Sequence, residues 1–392
     1  YIIPKALDPR LLTTVAPAVA KAAIESGVAA KIIEDWEAYD HQLQKLMGLD
    51  NKMLRHFYEA ARQNPKRVVF SESLHINMLK AAETALAEGI CQPILLGNEE
   101  KLANVAAENG IDLTGIQIVN LRHDREEERR TRYAKLLSEK RSREGMTFEE
   151  AFEKMYERNY FGMMMVETGE ADALITGVIT KYEDSVKAAR TVIGARPGVN
   201  SIGAMHIMNT KKGTYFLADT LFNRHPSTET IIDVAKLTYD TVKFFAHEPV
   251  MALLSYSNFG SDKEGSPASV HKVNQVLQER YPDMVVDGEM QANFALNKEL
   301  RDRKYPFSRL KGKDVNTLIF PNLSSANMVQ QMMLELGLAE TIGPIQMGLN
   351  KPVHILDVES SVRSIVNMTA VAVLDAIVQE KIEKGEVERI GE

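Results

Sequence analysis

The sequence predicts an α/β fold with two domains of parallel or mostly parallel sheet, and two patterns support this prediction. Eight short runs are rich in valine, isoleucine and leucine with little polar alternation, which is typical of strands buried on both faces. Longer segments with helical spacing of apolar residues separate these runs, and such alternation indicates sheets covered by helices. The predicted strands span residues 67–70, 93–96, 116–120, 173–176, 251–256, 284–287, 317–321 and 353–357.

The first 45 or so residues differ from the rest of the chain. Residues 16–30 are alanine-rich and helical in pattern, with an interruption at Gly27, and residues 31–46 continue as a charged helix containing the only tryptophan, Trp36. We interpret this region as a connector helix rather than a domain. Because residue 1 is Tyr1 rather than methionine, we expect the chain to be a piece of a longer protein.

Composition narrows the class of protein. The chain has 392 residues, enough for two or three domains, and its net charge of −7 argues against nucleic-acid binding. A single cysteine, Cys91, fits a reducing compartment, so we expect a cytoplasmic protein. No apolar run comes near the roughly 20 residues of a membrane span, so we expect no membrane partner. Dinucleotide-binding, P-loop and metal-ligand spacings are absent, and we expect no metal site.

Four polar, flexible segments follow predicted strands. They comprise residues 254–261, 287–291, 320–327 and 342–352. Open parallel sheets bind ligands where strands end and helices begin, and backbone N–H groups at such turns suit phosphates. Each segment taken alone is equally consistent with ordinary turn chemistry. Their recurrence at strand ends predicts a ligand site built from several loops.

The chain from about residue 67 to residue 367 resembles the phosphotransacetylase (phosphate acetyltransferase) family. The resemblance rests on residues 93–97 (PILLG), 171–177 (ADALITG), 254–257 (LSYS), 287–289 (DGE), 320–323 (FPNL) and 342–344 (IGP). It implies a fold of two α/β/α domains with a cleft between them, and an ancestral activity that transfers acetyl groups between coenzyme A and phosphate. It also implies a discontinuous first domain, residues 46–198 plus 344–392, and a second domain over residues 199–343.

The start of the chain carries a second resemblance. Residues 3–5 (IPK), 8–10 (DPR) and 19–29 (VAKAAIESGVA) are similar to the closing stretch of bacterial malic enzymes, whose large members continue into a phosphotransacetylase-like domain. Residues 1–45 would then be the end of a malic-enzyme region and a linker helix. This resemblance implies upstream malic-enzyme domains in the same protein, with NADP and Mg or Mn as their cofactors. Their reaction is oxidative decarboxylation of malate to pyruvate, and no residue of this chain would catalyse it.

The family's reacting groups are replaced in this chain. In active members a Ser-Arg pair ends the last strand, and an aspartate follows seven residues after the serine. The aligned residues here are Asp357, Val358 and Ser364. Losing one well-placed donor costs about 10²–10³ in rate. At an effective dielectric of about 20, a carboxylate about 4 Å from a phosphate adds roughly 4 kcal/mol of repulsion. We therefore expect no catalytic residue for acetyl transfer in this chain.

Recognition of coenzyme A depends on other contacts that the replacements leave in place. We expect acetyl-CoA to bind as an allosteric effector, and we expect the effect to be inhibitory because acetyl-CoA lies downstream of pyruvate. The alternatives are an active acetyltransferase that uses Asp357 as a base, and an oligomerisation scaffold with an empty cleft. The resemblance also implies a homo-oligomer formed through this region. The candidate effector-binding residues are Arg141, Lys187, Ser255, Tyr256, Ser257, Asn322, Asn327, Gly343 and Pro344.

Overall fold

The computed structural model describes residues 11–33, 35, 36, 39, 43 and 52–386, which fall into two compact units, Tyr1–Glu59 and Ala60–Glu392. In the first unit, a π-helical turn over Leu11–Val15 leads into α1 (Ala16–Glu25), and the chain leaves the helix at Gly27, where φ is +73°. Residues 31–33 are not helical, and most of the helix predicted over residues 31–46 lies outside the described residues. The motifs at residues 3–5 and 8–10 also lie outside them.

The second unit contains a five-stranded parallel sheet. Its order is β11-β4-β1-β2-β3, and each neighbouring pair is parallel. The strands are β1 (Lys66–Phe70), β2 (Cys91–Leu96), β3 (Gln117–Val119), β4 (Ala173–Thr176) and β11 (Val353–Ile355). Helices α3 (Ile76–Ala87) and α14 (Val362–Glu383) pack on one face, and α5 (Glu127–Lys140), α7 (Arg158–Glu167) and α8 (Tyr182–Val192) contribute to the core on the other. Helices α4 (Glu99–Asn109) and α6 (Phe148–Lys154) also belong to this unit, and α2 (Lys52–Gln63) runs across the boundary between the two units.

A six-stranded sheet follows in the order β10-β5-β6-β9-β7-β8. Its strands are β5 (Gly203–Thr210), β6 (Gly213–Ala218), β7 (Val250–Leu254), β8 (Val285–Met290), β9 (Thr317–Ile319) and β10 (Ala339–Met347). Only β5 runs against the others, because it is antiparallel to both of its neighbours, β6 and β10. Helices α9 (Thr228–Phe244) and α10 (Gly265–Arg280) cover one face, and α11 (Ala292–Leu296) and α13 (Leu323–Glu335) the other, with α12 (Lys298–Lys304) beside them. The predicted fold class, α/β with mostly parallel sheets, is confirmed.

All eight predicted strands are present, with ends shifted by a few residues. Three further strands were missed, β5, β6 and β10. They are the ones joined by antiparallel pairing, and a two-residue turn over Lys211 and Lys212 links the first two. Two of the predicted polar loops are corrected as well. Residues 287–290 belong to β8 and residues 342–347 to β10, where pairing with β5 satisfies the backbone.

Two chain segments connect the two sheets and pair with each other. The backbone N–H of Arg196 donates to the Gly348 carbonyl at 2.9 Å, and that of Asn350 donates to the Gly194 carbonyl at 3.0 Å. Residues 194–196 and 348–350 thus form a short two-stranded crossing between the sheets. The domain boundaries predicted at residues 45/46, 198/199 and 343/344 stay a prediction.

One described helix, α14, is long and apolar enough to cross a membrane by length and composition alone. This differs from our expectation that no apolar run approaches that length. The finding is weak evidence for a membrane span, because a core helix passes the same test and 61% of the apolar stretch is buried within the protein.

The position of the turn after β11 depends on Gly177, and substituting Gly177→Ala should destabilise the protein. Gly177 has φ of +107°, and an added Cβ would lie 2.4 Å from the Leu356 carbonyl oxygen. Overlap and backbone strain together should lower the free energy of unfolding by about 3 kcal/mol or more. Urea denaturation measures the change.

The matched control for this prediction is Gly169→Ala. Gly169 also has positive φ, +76°, but nothing lies within 4 Å of its added Cβ, so only about 1–2 kcal/mol of strain is expected. Equal losses for the two variants would contradict a steric role for Gly177.

Candidate functional site

The turn after β11 carries Asp357 and Val358, the residues that the resemblance aligns with a reacting Ser-Arg pair. Asp357 and Val358 open this turn, which closes when the Ser360 N–H donates to the Asp357 carbonyl at 3.0 Å. Burial raises the pKa of the Asp357 carboxyl above its ordinary value. The Val358 side chain is 54% exposed, and Ser364 donates its backbone N–H to the Ser361 hydroxyl that caps α14. The turn therefore offers an acid and an apolar surface, with no cation of its own at positions 357 and 358.

Tyr182, at the start of α8, connects this turn with the second sheet. Burial raises the pKa of its hydroxyl well above the ordinary value, and the negative charges of Asp219 and Asp357 raise it further. Asp219 follows β6, and its carboxylate accepts hydrogen bonds from the backbone N–H groups of residues 204, 221, 222 and 223. The Tyr182 ring also packs edge-on against Phe222, with 5.6 Å between centroids. Loops at the carboxyl ends of the two sheets thus meet at Tyr182.

A buried glutamate fixes the loop that precedes Tyr182. Glu72 follows β1, is 1% exposed, and accepts three backbone N–H bonds, from Gly177 at 3.0 Å, Ile179 at 2.8 Å and Thr180 at 2.7 Å. Backbone donors of this kind compensate the cost of burying the carboxylate. Glu72 therefore positions the loop after β4 and the start of α8.

Three candidate residues lie in the loop after β7, at the carboxyl end of the second sheet. The Ser255 hydroxyl is buried and has no hydrogen-bond partner among the described residues. Tyr256 is 64% exposed and donates its hydroxyl to Asp262 at 3.0 Å. Ser257 is buried, and its hydroxyl accepts the Asp262 N–H at 3.0 Å. Ser257 is thus occupied in shaping the loop, whereas Ser255 retains a free donor and acceptor.

The four remaining polar-loop candidates divide into two pairs, one that follows β9 and one that lies on β10. Asn322 caps α13 by accepting the Ser325 N–H at 3.0 Å, and Asn327 lies half-buried on that helix. Gly343 and Pro344 are buried in the middle of β10, where an added Cβ at Gly343 would lie 2.8 Å from the His206 ring. Asn322 thus follows β9, which pairs with β7, whereas Gly343 and Pro344 lie within a strand rather than in a loop.

The two cationic candidates differ in what they contact. Arg141 donates to the carbonyls of Thr191 at 2.6 Å and Arg190 at 2.7 Å, and it forms an ion pair with Glu144 at 2.6 Å. It therefore caps the C-terminal end of α8, roughly 12 Å along the helix from Tyr182. Lys187 lies exposed between these two ends and has no ion pair among the described residues. The structure does not bring Arg141 next to Asp357.

Sequence reasoning missed Glu72, Tyr182 and Asp219. Both Glu72 and Asp219 follow strands closely. For Glu72, its place after the predicted strand β1 is a signal in the sequence that could have identified it. For Asp219 the sequence gives no such signal, because β6 was not predicted. Within the described parts of the chain, no group of three or more His, Cys, Asp and Glu side chains could hold a metal ion.

Comparison with known proteins identifies the family. A family model described as phosphate acetyl/butaryl transferase matches residues 52–373. The chain belongs to this family. A phosphate acetyltransferase of Thermoanaerobacterium thermosaccharolyticum is 32% identical over 331 residues, which cover 83% of this chain and 99% of that protein. A phosphotransacetylase structure from Streptococcus pyogenes superposes with a TM-score of 0.75 at 29% identity, covering 83% of this chain and 99% of the other.

Several relatives are longer proteins that are named as a different enzyme. The NADP-dependent malic enzyme of Salmonella typhimurium is 38% identical over 383 residues, and that of Escherichia coli is 37% identical over 386 residues. These matches cover 96% and 97% of this chain but 50% of each malic enzyme. The chain thus spans about half the length of these relatives and corresponds to their phosphotransacetylase-like part.

The raised pKa of the half-buried Asp357 carboxyl predicts a pH-dependent stability difference for Asp357→Asn. Because the folded-state pKa is raised, ionising Asp357 costs stability, and this cost appears as the pH rises from the unfolded pKa, about 3.9, through the folded one. Asp357→Asn should therefore melt at a higher temperature than the wild type at pH 7–8, and the difference should vanish near pH 4. Melting curves across this range measure it, and Asp283→Asn at an exposed position should show no such trend.

Proposed function

We propose that this chain is a non-catalytic regulatory and oligomerisation domain of an NADP-dependent malic enzyme, and that it binds acetyl-CoA as an inhibitory effector. In this proposal the parent protein oxidises and decarboxylates malate to pyruvate with NADP and Mg or Mn held by upstream domains. The similarity to half of each malic enzyme supports this assignment. A cytoplasmic location is part of the same proposal.

The observation that carries the loss of catalysis is the turn after β11. The resemblance aligns Asp357 and Val358 with the serine and arginine of active members. It aligns Ser364, whose backbone N–H donates to the capping Ser361 hydroxyl, with their aspartate. A valine cannot donate to a phosphate oxygen, and the Asp357 carboxylate repels one when it is ionised. Arg141 does not compensate, because its donors are used at the end of α8.

Binding of acetyl-CoA is supported by groups that remain available near the loops. The buried Ser255 hydroxyl lacks a partner among the described residues, and unsatisfied buried polar groups are costly unless a ligand or water satisfies them. Lys187 is exposed and forms no ion pair with any described residue, so it can reach an anionic ligand. Asn322 and the loop after β7 supply further polar surface at the same sheet end.

A second candidate function is acetyl transfer with Asp357 as the base. The raised pKa of the Asp357 carboxyl favours this alternative, because a base works best with a pKa near the working pH. The pure scaffold remains the third alternative, in which the cleft binds nothing.

Binding and turnover of acetyl-CoA separate these three functions. We expect no steady thiol release from acetyl-CoA and phosphate, and a rise in melting temperature on adding acetyl-CoA, equivalent to about 2.7 kcal/mol at a hundredfold excess over Kd. Steady turnover that Asp357→Asn abolishes would establish the acetyltransferase instead. Absence of both turnover and thermal shift would leave the scaffold.

Lys187→Ala tests the candidate site itself. Removing this charge should weaken acetyl-CoA binding by about tenfold, whereas Lys211→Ala, in the exposed turn between β5 and β6, should leave binding unchanged. In the full-length protein, acetyl-CoA should inhibit malate oxidation, and Lys187→Ala should shift the inhibition curve to higher acetyl-CoA.

The proposed homo-oligomer has a candidate surface on α13. Met328, Met332 and Leu336 are 60%, 61% and 65% exposed, and they recur at intervals of four residues on one helix face. Leu338 extends this apolar surface with 55% exposure. An exposed apolar face of this kind is typical of subunit contacts.

Introducing a charge on this face should dissociate the oligomer. Met332→Lys should lower the molar mass measured by light scattering after gel filtration, because a lysine would be buried without a partner. Leu136→Lys, at a residue 42% exposed on α5, serves as the matched control. An unchanged mass for Met332→Lys would exclude α13 as the contact.

A further inference from the structure

A cluster of four aromatic side chains adjoins the loop after β7. Phe259, in that loop, lies 4.8 Å from Tyr305 and 5.0 Å from Phe307 between ring centroids, and Phe294 lies 5.0 Å from Tyr305. Phe307 is 68% exposed, although its ring rests on two neighbours. The cluster therefore holds one phenylalanine ring at the surface with an open side.

The chain around Phe307 is strongly basic. Residues 298–314 contain seven lysines and arginines against three aspartates and glutamates, which is a net charge of +4 in a chain of net charge −7. Four of these cations are exposed and form no ion pair within the described part of the chain. They are Arg303, Lys304, Lys311 and Lys313.

Two buried groups hold this basic segment in shape. The Arg301 side chain is fully buried and donates to the carbonyls of Ala295 at 3.0 Å and Leu310 at 2.8 Å. The Asp287 carboxylate on β8 accepts the Ser308 hydroxyl at 2.7 Å and the Arg309 N–H at 2.9 Å. Phe307 and its neighbouring cations are thus carried by a scaffold tied to the sheet.

We propose that the surface formed by Phe307 and the cations Arg303, Lys304, Lys311 and Lys313 binds the 3′-phosphorylated ADP end of acetyl-CoA. An exposed ring offers one stacking face, which suits a single base, and stacking of a base on an aromatic side chain contributes about 1–3 kcal/mol. Unpaired lysines and arginines suit phosphate groups. This inference rests on the proposed function, since it assigns the nucleotide end of the same effector.

The position of the surface agrees with a ligand that also reaches the loop after β7. Ser255 and Phe259 are four residues apart, so their backbones lie within about 14 Å of each other. The Phe259 N–H donates to the Glu289 carbonyl at 2.8 Å, which fixes the aromatic end of the loop against β8. One extended ligand can therefore contact the unpartnered Ser255 hydroxyl and the Phe307 ring.

Calorimetric titrations with three ligands test this proposal. Acetyl-CoA carries both ends, adenosine 3′,5′-bisphosphate carries only the nucleotide end, and S-acetylpantetheine carries only the thioester arm. Phe307→Ala should weaken binding of acetyl-CoA and the bisphosphate by about 5- to 150-fold, and binding of S-acetylpantetheine should not change. The double variant Arg303→Ala/Lys304→Ala should weaken the same two ligands and flatten their salt dependence.

Phe148→Ala, at a 41% exposed phenylalanine on α6, and Lys211→Ala/Lys212→Ala are matched controls that should bind like the wild type. Unchanged acetyl-CoA affinity in Phe307→Ala would overturn this inference and leave the proposed function standing. A wild type that binds only the bisphosphate, through Phe307, would support the nucleotide surface and contradict the proposed function. The inference would also be overturned if the wild type bound neither acetyl-CoA nor the bisphosphate. The same holds if Phe307→Ala changed the molar mass of the protein without changing its affinity for these two ligands.

Discussion

The arrangement of the candidate site depends on one buried carboxylate. Glu72 gathers the N–H groups of Gly177, Ile179 and Thr180 and so fixes the loop after β4. Gly177 in turn lies against Leu356, the residue before Asp357, and the loop leads into Tyr182. A buried carboxylate without donors would be costly, so the loop and the acid stabilise each other. The positions of the turn after β11 and of α8 both follow from this contact.

The site shows how binding and chemistry can separate within one fold. Catalysis of phosphate transfer needs groups aimed at the charge that develops during the reaction, whereas ligand recognition draws on contacts distributed along the ligand. The residues that the resemblance aligns with the reacting groups, Asp357, Val358 and Ser364, fall on a single strand end and its following helix. The loops on the second sheet and the surface around Phe307 are built from other elements. Substitutions at Asp357, Val358 and Ser364 therefore need not change the geometry of the loops on the second sheet or of the surface around Phe307.

Much of the fold could be predicted because buried parallel strands have a distinctive sequence pattern. The eight predicted strands are runs rich in valine, isoleucine and leucine, and each is present. By contrast, β5 and β6 carry polar residues such as His206 and Thr214, and β10 contains Gly343 and Pro344, so local sequence favours a loop there. Their strand structure comes from antiparallel pairing, which is a tertiary effect. For the same reason, the contacts of Arg141 with the end of α8 and the effect of the Asp219 charge on Tyr182 were not predictable from the sequence.

An effector that is bound but not consumed can regulate only if it distinguishes two states of the protein. The two sheets of this chain contact each other through side chains beside the candidate site, including the Tyr182–Phe222 ring pair and the ion pairs Glu183–Arg224 and Glu340–Arg363. Both side chains of each ion pair are exposed to solvent, so these pairs contribute little to stability. A ligand that contacts residues of both sheets can therefore outweigh them with a few good contacts. Under the proposed function, the absence of turnover suits this role, because occupancy of the site by an unconsumed thioester is set by the acetyl-CoA concentration alone.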